Sequence, residues 1–181
     1  MNQSIFDFIF GFARRNIFLD TTGVFAAGLL MYFLILAALI ALYRSSSDWR
    51  RRLFSFAEAA LAVILARGLI TEAFRFFYVH PRPFDALGIK PLVAWEPGAN
   101  SFPSGHATFL FALGMSVFYV NRKWGTWLLA LAAVNALARV FVGVHWPFDV
   151  LGGAIIGVLS AWAVHALLAS SWKGMKTKTA W

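Results

Sequence analysis

The sequence predicts an all-α fold: a polytopic membrane helical bundle of five transmembrane helices, preceded by an N-terminal amphipathic helix. Three observations predict it. Of 181 residues, 60% are hydrophobic and 13% charged, with a mean hydropathy of +0.70; an ordinary soluble domain is about half apolar and a quarter charged. The apolar residues fall into runs long enough to cross a bilayer as helices. The basic residues gather in alternate connections between those runs. Cysteine is absent, which excludes disulfides, thiolate catalysis and thiolate-ligated metals.

Residues 1–20 read as an interfacial segment. The apolar stretch 5–12 is too short to span and is broken by Asp7, but Phe6, Ile9, Phe10 and Ala13 share a helical face. It lacks the basic start of a signal peptide; a sixth short span is the alternative. Residues 21–43 run 23 positions without a charge, about 35 Å as a helix. The second span, 53–74, is interrupted by Glu58, Arg67 and Glu72. The third covers 107–120, with 104–106 in its first turn. The fourth covers 124–142, with Arg139 near its end. The fifth, 150–169, carries Gly152, Gly153 and Gly157, small residues that allow close helix packing. Residues 173–181 form a tail. No linker or repeat divides the chain, so 1–181 is one domain.

The net charge of +8 raises the question of a nucleic-acid partner, which the positions of the charges answer. Arg44, Arg50, Arg51 and Arg52 follow the first span, Arg122 and Lys123 the third, and Lys173, Lys176 and Lys178 the fifth. These nine of the 16 basic residues fall on one side, which the positive-inside rule makes cytoplasmic. Trp49, Trp124, Trp127 and Trp172 mark the same boundary. The basic excess is therefore topological, and no nucleic acid is expected.

Three segments meet at the opposite, outer ends of the spans: Arg75-FFYVHP-Arg82-Pro83, Pro103-Ser104-Gly105-His106 and Arg139-VFVGV-His145-WPF-Asp149. Ionisable groups at a membrane boundary are costly, so function is the default reading. Arginine forks match phosphate oxygens, and a Ser-Gly pair at a helix start offers a hydroxyl and backbone N–H groups to an anion. An imidazole held by a carboxylate can attack phosphorus, while a second imidazole protonates the leaving oxygen. His145 and Asp149 are one helical turn apart, which makes His145 the nucleophile candidate and His106 the acid. Two separated histidines without an acidic cluster are a poor divalent-cation site, so neither metal nor cofactor is expected.

These blocks resemble the type 2 phosphatidic acid phosphatase superfamily, which includes undecaprenyl-diphosphate phosphatases and vanadium haloperoxidases. The family pattern is Lys, six residues, Arg-Pro; Pro-Ser-Gly-His; and Ser-Arg, five residues, His, three residues, Asp. All three blocks occur here in order with their spacing kept. The resemblance implies that Arg75, Arg82, Ser104, Gly105 and Arg139 bind the phosphoryl group. It implies His106 as general acid, His145 as the residue that becomes phosphohistidine, and Asp149 as its orienting partner. Arg75 replaces the family's Lys and Ala138 its Ser.

Outside the motifs, His80 occupies a spacer position and is expected to have no catalytic role. His165 is expected to be packed or pore-facing. Glu72 is expected either to pair with Arg75 or, with Arg67, to serve helix packing; Glu58 is expected to face the interface or the nearby arginines. A substrate with its phosphate at the surface and its tail in lipid fits the spans, and rules out a soluble haloperoxidase. The compact size and the GVHWPFDVLG block are similar to the short undecaprenyl-diphosphate phosphatases. They imply hydrolysis of undecaprenyl diphosphate to the monophosphate, at the periplasmic face of a bacterial inner membrane, for cell-wall polymers. The alternatives are a phosphatidylglycerophosphate or phosphatidate phosphatase, a lipid phosphotransferase or, in another class, a non-catalytic lipid-binding or transport protein.

Overall fold

The computed structural model describes residues 1–94, 98 and 100–177, with side chains to residue 170. Among the described residues nine α-helices follow in order: α1 (Asn2–Phe10), α2 (Ile17–Ala27), α3 (Leu30–Tyr43), α4 (Trp49–Val63), α5 (Thr71–Phe77), α6 (Pro83–Leu87), α7 (Gly105–Val120), α8 (Arg122–Phe141) and α9 (Pro147–Thr177). A π-helical stretch, Ile64–Ile70, joins α4 to α5. The starts follow from side chains that satisfy the first free N–H groups. Asn16 accepts from Phe18 N at 2.8 Å, Asp48 from Arg50 N at 2.9 Å and Asn121 from Trp124 N at 3.1 Å. Pro147 opens α9, where its missing N–H costs nothing.

Among the described residues, three helices are long and apolar enough to cross a membrane: Trp49–Phe77 with 29 residues, Arg122–Phe141 with 20 and Pro147–Ser170 with 24. The expected first span begins earlier, at Ile17, and is broken: α2 and α3 meet at 45°. The expected third span is α7, apolar but 16 residues long. The second extends beyond its expected ends and contains the π stretch, where Thr71 Oγ1 donates to Ala66 O at 2.9 Å. Helix α9 continues to Thr177, so the expected tail starts as helix. The side chains of Trp172, Lys173 and Lys176, and residues 178–181 with Lys178, lie outside the described residues.

The hub is α7, packed against α9, α8, α4 and α3. Glycine sets the α7–α9 spacing. A Cβ on Gly157 would lie 2.6 Å from Thr108 O, and one on Gly153 would lie 2.7 Å from Ser104 O. The core on the inner side joins Leu34, Ala38, Leu42, Ala59, Leu110, Leu113, Val117 and Leu128 from four helices. The break between α2 and α3 exposes carbonyls that no water can reach in a bilayer, and α8 supplies donors. Asn135 Nδ2 donates to Ala26 O at 2.6 Å and to Ala27 O at 3.3 Å, and Arg139 Nη1 to Ala27 O at 3.4 Å.

Helix α1 is too short to span. It lays Phe6 on Trp146, with centroids 5.1 Å apart, and Asn2 Oδ1 accepts from Phe148 N at 3.1 Å. The amphipathic segment thus packs where α8 ends and α9 begins. Gly143, at φ +85°, turns the chain from α8 toward α9. The ends of α5, α8 and the starts of α7 and α9 therefore share one end of the bundle.

Glu58 corrects an expectation. It is buried, not turned to the interface, and accepts from or shares a proton with His165 Nδ1 at 2.7 Å. His165 in turn stacks on Tyr119, with centroids 3.8 Å apart. A carboxylate between α4, α7 and α9 is kept inside by a partner that lies 107 residues away.

Candidate active site

His145 sits in the loop between α8 and α9, and both its ring and the Asp149 side chain are buried. His145 Nδ1 lies 3.5 Å from Asp149 Oδ2. The opposite ring nitrogen, Nε2, lies 3.3 Å from Arg82 Nη1, so one nitrogen faces the carboxylate and the other an arginine. Burial pushes the His145 pKa down to about 3; Asp149 pulls it up, and the Arg139 and Arg82 charges push it down further. The ring is neutral at physiological pH, with a lone pair to share.

Asp149 Oδ2 accepts from Trp146 N at 2.8 Å and from Ser101 Oγ at 2.5 Å. Ser101 Oγ also lies 3.4 Å from His145 Nδ1, so this hydroxyl bridges the pair. His80, assigned to a spacer, brings Nε2 to 3.7 Å from Asp149 Oδ1. Arg82 joins two segments: Nη1 donates to Val144 O at 2.7 Å and Nη2 to Asn100 O at 3.1 Å. Burial and the Arg75 charge lower its pKa to about 10, with Asp149 and Asp85 acting the other way; it stays cationic. Asn100 fixes the loop again, donating to Arg75 O at 2.8 Å and accepting from His80 N at 2.7 Å.

Of the expected site residues, Arg75, Arg82, Gly105, His106 and His145 line one cavity of about 460 Å³, together with Arg67 and Asn100. Met31, Ile35 and Phe109 supply its apolar wall. Ser104, Arg139 and Asp149 are buried and are not among the residues lining this cavity. The Ser104 N–H is not offered to a ligand, because it donates to Asp149 O at 3.0 Å; its Oγ is buried without a hydrogen-bond partner among the described residues. Arg75 Nη2 donates to Pro103 O at 3.3 Å, and Nη1 lies 3.5 Å from Glu72 Oε1. Glu72 also pairs closely with Arg67. Among the described residues no three His, Cys, Asp or Glu side chains cluster as metal ligands.

The PAP2 superfamily model matches residues 56–173, from α4 through most of α9. The chain belongs to the PAP2 superfamily. Undecaprenyl-diphosphatase BcrC of Bacillus subtilis is 32% identical over 161 residues, covering 88% of this chain and 80% of that protein. The bacitracin transport permease protein BcrC of Bacillus licheniformis is 33% identical over 162 residues, covering 89% and 77%. Among solved structures, Aquifex aeolicus LpxE superposes with a TM-score of 0.71 at 24% identity, covering 90% of this chain and 93% of that one; this likeness concerns the fold. The protein is thus a multi-pass membrane phosphatase of the PAP2 type.

Sequence reasoning missed Ser101, Asn100 and the cavity position of Arg67. Ser101 and Asn100 lie just before the Pro103–His106 block, yet their partners are 18 to 48 residues away, and no local pattern signals such contacts.

Proposed function

We propose that this PAP2 protein hydrolyses a polyprenyl diphosphate, undecaprenyl diphosphate to the monophosphate plus phosphate, through a phosphohistidine on His145. The observation that carries the reading is the two-sided environment of His145, a carboxylate toward Nδ1 and an arginine toward Nε2. The Nε2 lone pair attacks the terminal phosphorus, and the bond from phosphorus to the bridging oxygen breaks. His106 gives its proton to that oxygen, releasing the lipid monophosphate. It then takes a proton from water, whose oxygen displaces His145 and leaves as inorganic phosphate. Asp149 holds the Nδ1 proton and stabilises the imidazolium character that develops. Arg75, Arg82 and Arg139, with Ser104 and Gly105, stabilise the charge on the equatorial oxygens. No step calls for a metal or cofactor.

The substrate assignment is supported by similarity to BcrC undecaprenyl-diphosphatase and by a cavity that joins arginines to apolar residues of α3 and α7. The tail lies in lipid, and the reaction faces the periplasm of a bacterial inner membrane. A transport reading has the printed name of the B. licheniformis relative behind it. Transport needs an anion site, but not a nucleophile with an oriented carboxylate.

Phosphate release by the detergent-purified protein tests this reading. Undecaprenyl diphosphate, phosphatidylglycerophosphate and phosphatidate are compared in EDTA. Turnover of the diphosphate that is lost in His145→Ala supports it. Appreciable turnover in His145→Ala refutes the nucleophile, and no release from any lipid returns the transport reading. Labelling of Lys90→Cys by an impermeant maleimide on intact cells tests the orientation.

A further inference from the structure

Arg67 lies outside all three motif blocks, eight residues before Arg75, yet lines the same cavity. Its guanidinium lies over the start of α7: a Cβ on Gly105 would come within 2.7 Å of Arg67 Nε and 3.3 Å of Cζ. Glycine at 105 therefore leaves room for this side chain as well as for a ligand. Arg67 belongs to the π-helical stretch. It pairs with Glu72, five residues on, a spacing that a regular α-helix turns to different faces.

The same Glu72 oxygen lies 3.5 Å from Arg75 Nη1. One carboxylate between two guanidiniums positions both and leaves a net positive charge for an anion. The Arg67 backbone lies roughly 12 Å along the helix from that of Arg75, while both guanidiniums reach one Glu72 oxygen, so the Arg67 side chain approaches the shared carboxylate from the membrane side. The apolar wall of Met31, Ile35 and Phe109 belongs to the membrane helices α3 and α7, so the depth axis runs from the arginines toward a lipid tail.

We propose that Arg67, held by Glu72 over Gly105, is a second anion subsite that takes the inner phosphoryl of a lipid diphosphate, while the outer one lies among Arg75, Arg82 and the two histidines. This rests on the diphosphate reading above. A diphosphate ester carries more charge than a monophosphate and presents it at two separated centres. A planar guanidinium can hold the oxygens of the inner centre in bidentate fashion. The leaving group is then anchored as the bridging bond breaks, and the tail continues down the apolar wall.

Binding of methylenediphosphonate and of orthophosphate is measured by calorimetry on the detergent-solubilised protein, wild type, Arg67→Gln and Arg67→Lys. Methylenediphosphonate should bind the wild type at least tenfold more tightly than orthophosphate. Arg67→Gln should shrink that ratio about tenfold, equivalent to about 1.4 kcal/mol, and Arg67→Lys should shrink it less. An unchanged ratio, or equal weakening of both ligands, overturns the subsite. If Arg67→Gln does not fold, Glu72→Gln serves: removing the shared carboxylate should tighten methylenediphosphonate more than orthophosphate, and any other result counts against the proposal. Because binding is read without turnover, a wild type that hydrolyses phosphatidate but not a diphosphate refutes the substrate assignment and leaves this ratio to judge Arg67.

Discussion

Removing the Ser101 hydroxyl isolates what orients the Asp149 carboxylate. In Ser101→Ala, Asp149 Oδ2 loses its 2.5 Å hydrogen bond and keeps the one from Trp146 N at 2.8 Å. The other oxygen has no hydrogen-bond partner among the described residues, so Oδ2 loses one of the two donors that hold it in place for His145 Nδ1, 3.5 Å away. A hydrogen bond to a charged group contributes about 1.5–3 kcal/mol. The Trp146 N–H still fixes Oδ2, which puts the loss at the low end, about 1.5 kcal/mol or roughly tenfold in rate. Ser101 does not line the cavity, so the loss should fall on kcat, with KM changing less than about threefold. The assay is continuous phosphate release in detergent micelles, with thermal unfolding of the variant as a check on folding. A kcat within twofold of wild type, or a large rise in KM at unchanged kcat, refutes the assignment of Ser101 as the positioning residue for Asp149.

Three further outcomes follow from the packing and the electrostatics. Gly157→Ala places a Cβ 2.6 Å from Thr108 O and 2.8 Å from Ala112 N; separating α7 from α9 should cost about 1–3 kcal/mol, read as a lower Tm in micelles. Gly68→Ala, whose Cβ meets nothing nearer than Ile64 Cγ2 at 3.8 Å, is the control that should keep its Tm. Asn135→Leu removes the side-chain amide from the Ala26 and Ala27 carbonyls and should cost about 1–3 kcal/mol; an unchanged Tm would show that those carbonyls find other donors. His145, with its pKa near 3, should keep a neutral ring from pH 8 to 5 in a ¹⁵N NMR titration, and a midpoint above 5 would contradict its burial. Because its ordinary value is 6.5, unfolding takes up a proton between about pH 6.5 and 3. Stability should therefore fall as pH is lowered through that window.

The apolar runs made the membrane helices legible, since about 20 uncharged residues in sequence have few other uses. The motif residues were legible through spacing: Arg82, His106 and His145 come to one cavity, and Asp149 stands behind His145. The break at 28–29 was not legible, because the uniformly apolar run 21–43 hides a bend whose compensation comes from Asn135, more than 100 residues later. Glu58 misled for a similar reason. The nearest charged residues in sequence are Arg50, Arg51 and Arg52, six and more positions back, and nothing local signals the contact with His165 on α9. Glu72 was legible as a partner for Arg75, three residues on; its pairing with Arg67, five residues back, was not, because that spacing faces apart on a regular helix and the π stretch changes the register.

Arg82 has a consequence for how variants of this enzyme evolve and are interpreted. One side chain ties Val144 and Asn100, and thereby both loops that carry the site, while facing the nucleophile. A residue with two employers cannot be exchanged for the sake of one. Lysine would keep the charge, but its single ammonium centre cannot reproduce a planar fork reaching two carbonyls. Ligand preference should therefore drift through positions such as Arg67, which lines the cavity without tying the two loops together. A dead Arg82→Lys enzyme would report a lost tie-beam as much as a lost grip on phosphate.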